Sequence, residues 1–207
     1  MKDEKRARIL EAATRIFAEK GYQYATISDI AAEAGIATGL LYSYFCNKLD
    51  VLLSIILMFW EEMNRRNLES FASAAGPVDR LLALVDTFED MLIRDEKSLY
   101  LVKVLNEGLP HILLIKDRKL QLKRHNIMLE NRRLVNEVDM IMAEGQQQGV
   151  IDDSLRPGVM RQVLCGTIER VLYGLSFRTC FESEEIGYEA DDAHRALLRL
   201  IETFIRA

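Results

Sequence analysis

Along most of this chain, apolar residues recur at three- and four-residue spacing, the period of an amphipathic helix. Ile9, Ala13, Ile16 and Phe17 set the pattern from about Asp3 to Lys20, and Gly21 suits a left-handed stop. Thr26 opens a second helix, and Asp29, three residues on, can reach back to the cap. Ile27, Ile30, Ala31 and Ala34 form its inner stripe, and Gly35 closes it. A third, short helix begins after one or two residues, with Leu41 and Phe45 as inward anchors. Helix, tight glycine turn and short helix is the helix-turn-helix pattern. Asn47 next caps a fourth helix, Lys48 to Ser73, with Asp50 at its third position and Leu52, Ile55, Ile56, Phe59 and Met63 as its stripe. Gly76-Pro77 breaks the chain, and a fifth helix covers Val78 to Arg94. A sixth, Lys97 to Glu107, stops at Gly108. Pro110 introduces a helical region from His111 to Gln148, kinked or split near Lys116 and capped by Gly149. Two more helices follow, from Asp152–Pro157 to about Arg178 and from Tyr188 to Arg206. The pattern predicts an all-α protein.

Composition narrows what such a bundle can be. With 207 residues, 49% hydrophobic and 29% charged, the chain can bury a core in one or two domains. The most apolar block, "VLLSIILMFW", falls short of the roughly 18 residues of a membrane span. The first ten residues mix acids with bases around no apolar core, unlike a signal peptide. Cys46, Cys165 and Cys180 are odd in number and widely spaced, which suits a reduced, cytoplasmic protein, with inert packing the favoured role of the cysteines and redox sensing the alternative. The net charge of −5 argues against a general polyanion binder, yet its distribution is uneven. Residues 1–50 hold seven bases and seven acids, so the remainder carries the whole −5. Five bases, Lys2, Lys5, Arg6, Arg8 and Arg15, crowd the start, so a nucleic-acid surface should be local and amino-terminal.

The third helix carries the chemistry. On the placement set by Leu41 and Phe45, Thr38, Tyr42 and Ser43 project away from the anchors. A buried helix has no use for three hydroxyls on its free face, and a merely solvated one would carry Lys and Glu. Small residues and hydroxyls suit a groove wall, where hydroxyls bond phosphate oxygens and Gly39 permits close approach. Lys48 stands in the first turn of the next helix, poorly placed for the macrodipole unless a phosphate also sits there.

The segment "RILEAATRIFAEKGYQYATISDIAAEAGIATGLLYSYFCNKLDVL", Arg8 to Leu52, strongly resembles the amino-terminal domain of TetR-family transcriptional regulators. The ordered series carries the resemblance: Ile-Leu-x-Ala-Ala…Phe, Gly-Tyr, Thr26, Ile30-Ala31…Ala34-Gly35, then Gly39-x-Leu41-Tyr42-x-Tyr44-Phe45-x-Asn47-Lys48. It implies a helix-turn-helix DNA-binding domain over 1–48 and a ligand-binding and dimerisation domain over 49–207. It further implies a homodimeric repressor that binds a palindromic double-stranded operator and is released by a small molecule. Thr26, Tyr42, Tyr44 and Lys48 match family phosphate-contacting positions, and Thr38, Gly39, Leu40 and Ser43 the groove-facing ones. Three positions depart from the family. Ala37 opens the helix where Ser or Thr is usual, Thr38 replaces a common Lys or Arg, and Leu40 replaces Thr, Ser or Ala. Without Arg, Asn or Gln for bidentate base reading, specificity leans on thymine-methyl contact by Leu40, on hydroxyls and on DNA shape.

For the second half, the resemblance implies that the last two helices pair with their two-fold mates. Val159, Val163, Gly166, Arg170 and Gly174 share one face of the penultimate helix, and Leu197, Leu200, Ile201 and Phe204 one of the last. Intramolecular core is the alternative for part of that stripe. Dimerisation is also expected because one short recognition helix reads only a few base pairs. A hydrophobic effector pocket would draw on Phe59, Trp60, Met63, Phe88, Met91, Leu101, Leu105, Met128, Met140, Ile168 and Leu172, although ordinary core packing explains many of these equally. The run "KDRKLQLKRHNIMLENRR" is either a solvated basic face or a receiver for the phosphates of an acyl-coenzyme A. "EGQQQGVI" followed by "GTIERVLYG" resembles the fatty-acid-degradation regulators of the family. An efflux-type regulator answering lipophilic drugs competes with that reading. So does a TetR-like dimeric interaction module without inducer.

No catalytic or cofactor motif stands out: HExxH, GxxxxGK, GxSxG and CxxC are all missing from the sequence. His111, His125 and His194 are too scattered to read as a metal set. Adjacent acids such as Asp152-Asp153 diverge on a helix. No catalytic, metal or cofactor residue is expected, and an enzyme is the disfavoured class.

Overall fold

Positive-φ glycines follow three of the helical stripes, at Gly21, Gly35 and Gly149. The computed structural model of the chain describes residues 2–92, 96–113, 115–181 and 190–205. It contains α1 (Lys2–Lys20), α2 (Ile27–Glu33), α3 (Thr38–Tyr42), α4 (Lys48–Ser73), α5 (Pro77–Leu92), α6 (Glu96–Leu113), α7 (Arg118–Gln147), α8 (Pro157–Phe181) and α9 (Ala190–Glu202). The fold is all-α. Ile151 and Ile205 form an isolated antiparallel bridge, beside which the Asp152 N–H donates to the Phe204 carbonyl at 2.8 Å. Among the described residues no helix is long and apolar enough to cross a membrane.

The chain gathers into two compact units, Met1–Trp60 with Glu96–Leu129, and Glu61–Asp95 with Glu130–Ala207. This division does not follow a sequence boundary at 48/49. The first half of α4, all of α6 and the start of α7 complete the core beneath the helix-turn-helix. Ile9, Leu10, Phe17, Ile30, Leu41 and Phe45 are buried there with Leu52, Ile55, Ile56, Val104, Ile112 and Ile127. A three-helix segment of under 50 residues buries too little surface alone, and α6, packed on α1, supplies more.

The expected stop at Gly108 is wrong, since α6 runs on through Gly108 and Pro110 to Leu113. Gly108 serves a close approach instead: a Cβ there would lie 2.7 Å from Ile56 Cδ1 and 3.3 Å from Leu52 Cδ1. Residues 115–117 lie outside the helices, and α7 begins at Arg118. Asp117 caps α7, its carboxylate accepting from the Lys119 N–H at 2.8 Å and its carbonyl from the Leu120 N–H at 3.1 Å. Lys123 turns inward from the basic run, forming a close ion pair with Asp50 and donating to Ser54 Oγ at 2.6 Å. Burial pushes the Asp50 carboxyl up, but Lys123 and the Cys46 N–H outweigh it and hold the group below its usual range.

In the second unit α5 packs on α9 and α8, and α8 packs on α9. Leu81, Leu84, Val85 and Phe88 of α5 are buried, as are Met160, Leu164 and Ile168 of α8 and Ala193, Leu197 and Ile201 of α9. Gly145 lets Ile151 lie against α7, where a Cβ would approach Ile151 Cδ1 to 2.4 Å. The proposed start of the last helix at Tyr188 and the side chains of Leu172 and Cys180 lie outside the described residues.

Candidate nucleic-acid interface and effector cleft

The helix-turn-helix is fixed by short-range chemistry. Thr26 caps α2 in a reciprocal box: the Asp29 N–H donates to Thr26 Oγ1 at 3.1 Å, and the Thr26 N–H to Asp29 Oδ2 at 2.9 Å. Lys20 donates to Asp29 Oδ1 at 2.7 Å. The Lys20 and Thr26 bonds together hold the Asp29 carboxyl down at about 2. Gly21 and Gly35 take φ of 79° and 63°, a region that side chains with a Cβ disfavour. Arg8 Nη2 donates to the Ala34 carbonyl at 3.1 Å, tying α1 to the end of α2.

On α3, Leu41 is fully buried and Phe45 nearly so, which turns the opposite face outward. Tyr42 is 54% exposed and Leu40 38%, and nothing lies within 4 Å of the Cβ position of Gly39. Ala37 is the exposed N-cap and makes no side-chain cap bond, so it leaves the first-turn N–H groups without a side-chain acceptor. Ser43 is exposed, but its hydroxyl donates to the Leu40 carbonyl at 2.6 Å, so its one proton is already engaged and is not offered to a phosphate, which can only accept. Thr26 is exposed, and Thr38 and Tyr44 are half-buried. The structure therefore brings Ala37, Thr38, Gly39, Leu40, Tyr42 and Ser43 together on or beside one short helix.

Lys48 departs from expectation. Its Nζ donates to the carbonyls of Tyr22 at 2.6 Å, Gln23 at 3.1 Å and Ala25 at 2.9 Å. Three carbonyls occupy all three ammonium donors, so Lys48 clamps the α1–α2 turn and has no N–H left to point at a phosphate. The ammonium also lies 4.6 Å from the Tyr22 ring centroid, and burial lowers its pKa. The same turn is gripped from α6. The Tyr22 N–H donates to Glu107 Oε2 at 2.8 Å, and the Tyr22 ring tilts against His111 at 4.5 Å.

Two bases that sequence reasoning left unassigned join the surface. Lys5 and Arg8 line a groove of about 380 Å³ with Ala34, Gly35, Ile36, Ala37 and Leu40, so positive charge borders the opening of α3. The crowd of amino-terminal bases was the available signal. It gave the sign of the charge but not its position.

Several residues expected to line an effector pocket are core: Phe59, Met63, Phe88, Met91 and Ile168 are buried. Met128 and Met140 are 47% and 61% exposed and face solvent, a correction to their assignment. Trp60, Leu101 and Leu105 are half-buried. An open cleft of about 710 Å³ lies elsewhere in the second unit, lined by none of these. Glu61, Asn64, Arg65, Asn67, Leu68 and Phe71 of α4 and Glu130, Arg133, Leu134, Asn136 and Glu137 of α7 form its walls. Asn64 Nδ2 bridges it, donating to the Glu130 carbonyl and to Glu130 Oε2, both at 2.9 Å. No sequence motif marks these residues.

The expected interface between copies also divides. Val159 and Val163 are 48% and 44% exposed on α8, Arg170 is exposed, and Gly166 and Gly174 are half-buried. On α9, however, Leu197, Ile201 and Phe204 are buried within the single chain and Leu200 is half-buried. That stripe is intramolecular core, filled by α5 and α8. His194 meets Glu89 Oε2 at 2.6 Å, with Asp86 close by, a grouping of α5 and α9 that spacing could not show.

Residues 9–55 match the family model described as bacterial regulatory proteins, tetR family. The fatty acid metabolism regulator protein of Bacillus subtilis (strain 168) is 31% identical over 181 residues, 83% of each chain. Among solved structures, the fatty acid degradation regulator FadR of Bacillus halodurans superposes with a TM-score of 0.73 at 26% identity, covering 94% of this chain and 96% of that one. A transcriptional regulator FadR from Bacillus subtilis in complex with stearoyl-CoA gives the same score, identity and coverage. With an exposed α3 on a capped helix-turn-helix and a relative matched over most of both lengths, the chain belongs to the TetR family of transcriptional regulators.

Proposed function

We propose that this regulator is a cytoplasmic homodimeric repressor that binds a palindromic operator through α3 and is released by a long-chain acyl-coenzyme A. The exposed α3 face carries the DNA half of that reading. Leu41 and Phe45 hold a five-residue helix so that Gly39, Leu40 and Tyr42 stand clear of the core. The unpartnered methyl groups of Val159 and Val163 support pairing of two copies through α8. Residues 1–48 make the DNA contacts and 49–207 carry the effector and dimer surfaces.

The effector reading is supported by the relatives, one named for fatty acid metabolism and one solved with stearoyl-CoA. For release, the thioester must bind the conformation that does not fit DNA more tightly than the one that does. A lipophilic cation is the second reading, favoured by Glu61, Glu130 and Glu137 in the cleft. Retardation of DNA from upstream of the chain's own gene, titrated with palmitoyl-CoA, coenzyme A and a cationic dye, decides between them. Release by palmitoyl-CoA alone is expected. Release by the dye alone assigns the second class, and no retardation at all sinks the proposal.

A further inference from the structure

Asn67 is the anomaly of the second unit. It is 3% exposed among the residues that line the 710 Å³ cleft, and among the described residues neither Nδ2 nor Oδ1 has a hydrogen-bond partner. A buried amide left unmatched on both atoms destabilises the fold, and buried polar groups are otherwise almost always paired. Its neighbours are matched: Asn64 is bonded to Glu130, Arg65 to Glu62 and Glu69, and Arg133 to Glu130. The cleft volume falls within the roughly 300–1,000 Å³ of small-ligand sites. Leu68, Phe71 and Leu134 give it an apolar wall, and Asn67 contributes a buried, unmatched amide to the same lining.

The charge around the cleft limits what enters. Glu61, Glu130 and Glu137 stand against Arg65 and Arg133, and both guanidiniums are already held by carboxylates. A phosphate-bearing end is repelled here, whereas a neutral chain carrying an N–H and a C=O is not. We propose that the cleft receives the amide-bearing pantetheine arm of an acyl thioester, with Asn67 Nδ2 donating to a ligand carbonyl and Oδ1 accepting from a ligand N–H. This rests on the acyl-coenzyme A reading above and adds the residue that recognises it. The terminal amide of Asn turns about a broad torsion, so it can adapt to either amide of the arm. The coenzyme phosphates remain outside the cleft.

Calorimetry on the full chain with palmitoyl-CoA, S-palmitoyl-pantetheine and palmitate, together with melting of the unliganded protein, tests this. The native chain binds both thioesters with similar affinity. Asn67→Leu, close in volume, removes the unmatched amide, so it raises the melting temperature of the free chain and weakens both thioesters roughly ten-fold or more. Palmitate, which has no amide, binds both chains alike. Asn67→Asp keeps the size and removes the donor, so it weakens the thioesters too and decides the matter should the leucine variant misfold. Thioester binding left unchanged by either variant, an equal loss for palmitate, or a free Asn67→Leu chain that melts lower overturns the subsite while leaving the effector reading intact. A native chain that binds neither thioester overturns both.

Discussion

Replacing Lys48 with Met separates a clamp from a phosphate ligand, because the two roles alter different quantities. The substitution keeps the aliphatic stem and deletes three charge-assisted bonds, of which those to Tyr22 and Ala25 are part-buried and the one to Gln23 is exposed. Bonds to charged groups contribute about 1.5–3 kcal/mol each when buried. The exposed carbonyl rehydrates at little loss, and removing a half-buried ammonium recovers part of its desolvation. Loss of the ring contact at Tyr22 adds about 0.5–1 kcal/mol. A net destabilisation of about 2 kcal/mol follows, or about 4–8 °C in melting temperature for a chain of this length. Urea unfolding followed through the lone tryptophan, Trp60, measures it. DNA affinity should also fall, since the loosened turn leads into α2. Its salt dependence should not change, because no phosphate contact is lost. If instead stability is unaltered and the slope of log affinity against log salt shallows by about 0.9, Lys48 is a phosphate ligand and the clamp is wrong.

Further outcomes test the remaining assignments. Gly108→Ala should destabilise by about 1 kcal/mol, because the added methyl meets buried Ile56 and outweighs the gain of up to about 1 kcal/mol in helix propensity; a more stable variant would mark Gly108 as a mere helix breaker. Asp29 and Glu62 both have carboxyls lowered to about 2 by Lys20 and Thr26 and by Arg65 and Arg66 respectively. Their folded pKa lies below the unfolded one, so their contribution is complete above about pH 4.5, declines as pH falls, and is gone near pH 2. Urea melts of the native chain against Asp29→Asn with Glu62→Gln should show a stability gap that closes over that window; a gap independent of pH refutes the pairing. Val159→Glu with Val163→Glu should give monomers by light scattering with little change in melting temperature, whereas Leu197→Ala should lose about 2–5 kcal/mol, as buried core does. Dimers that survive the double charge place the interface elsewhere.

The helix-turn-helix was legible because its determinants are local. The Thr26–Asp29 box, the positive-φ glycines at 21 and 35 and the Leu41–Phe45 anchors each act within a few residues. What the sequence hid depends on partners far along the chain. The carbonyls that hold Lys48 lie 23 to 26 residues away, and nothing near Lys48 distinguishes them from a phosphate. Gly108 and Pro110 read locally as a stop, yet the space demanded by Ile56 and continued packing on α1 keep α6 going. The stripe on α9 has the same period whether it faces α5 or a second copy, so periodicity could not choose between them. Asn67 belongs to no motif, and only its burial without partners sets it apart.

Hydroxyl-radical footprinting of the purified protein on the DNA upstream of its gene is the most direct test of α3 as one half of a symmetric reader. The expected result is two protected patches related by a two-fold axis, their centres one helical turn apart, roughly 34–36 Å, or a whole multiple of it. Tyr42→Ala should erase both patches together. A single unpaired patch, or protection that persists without Tyr42, contradicts the account.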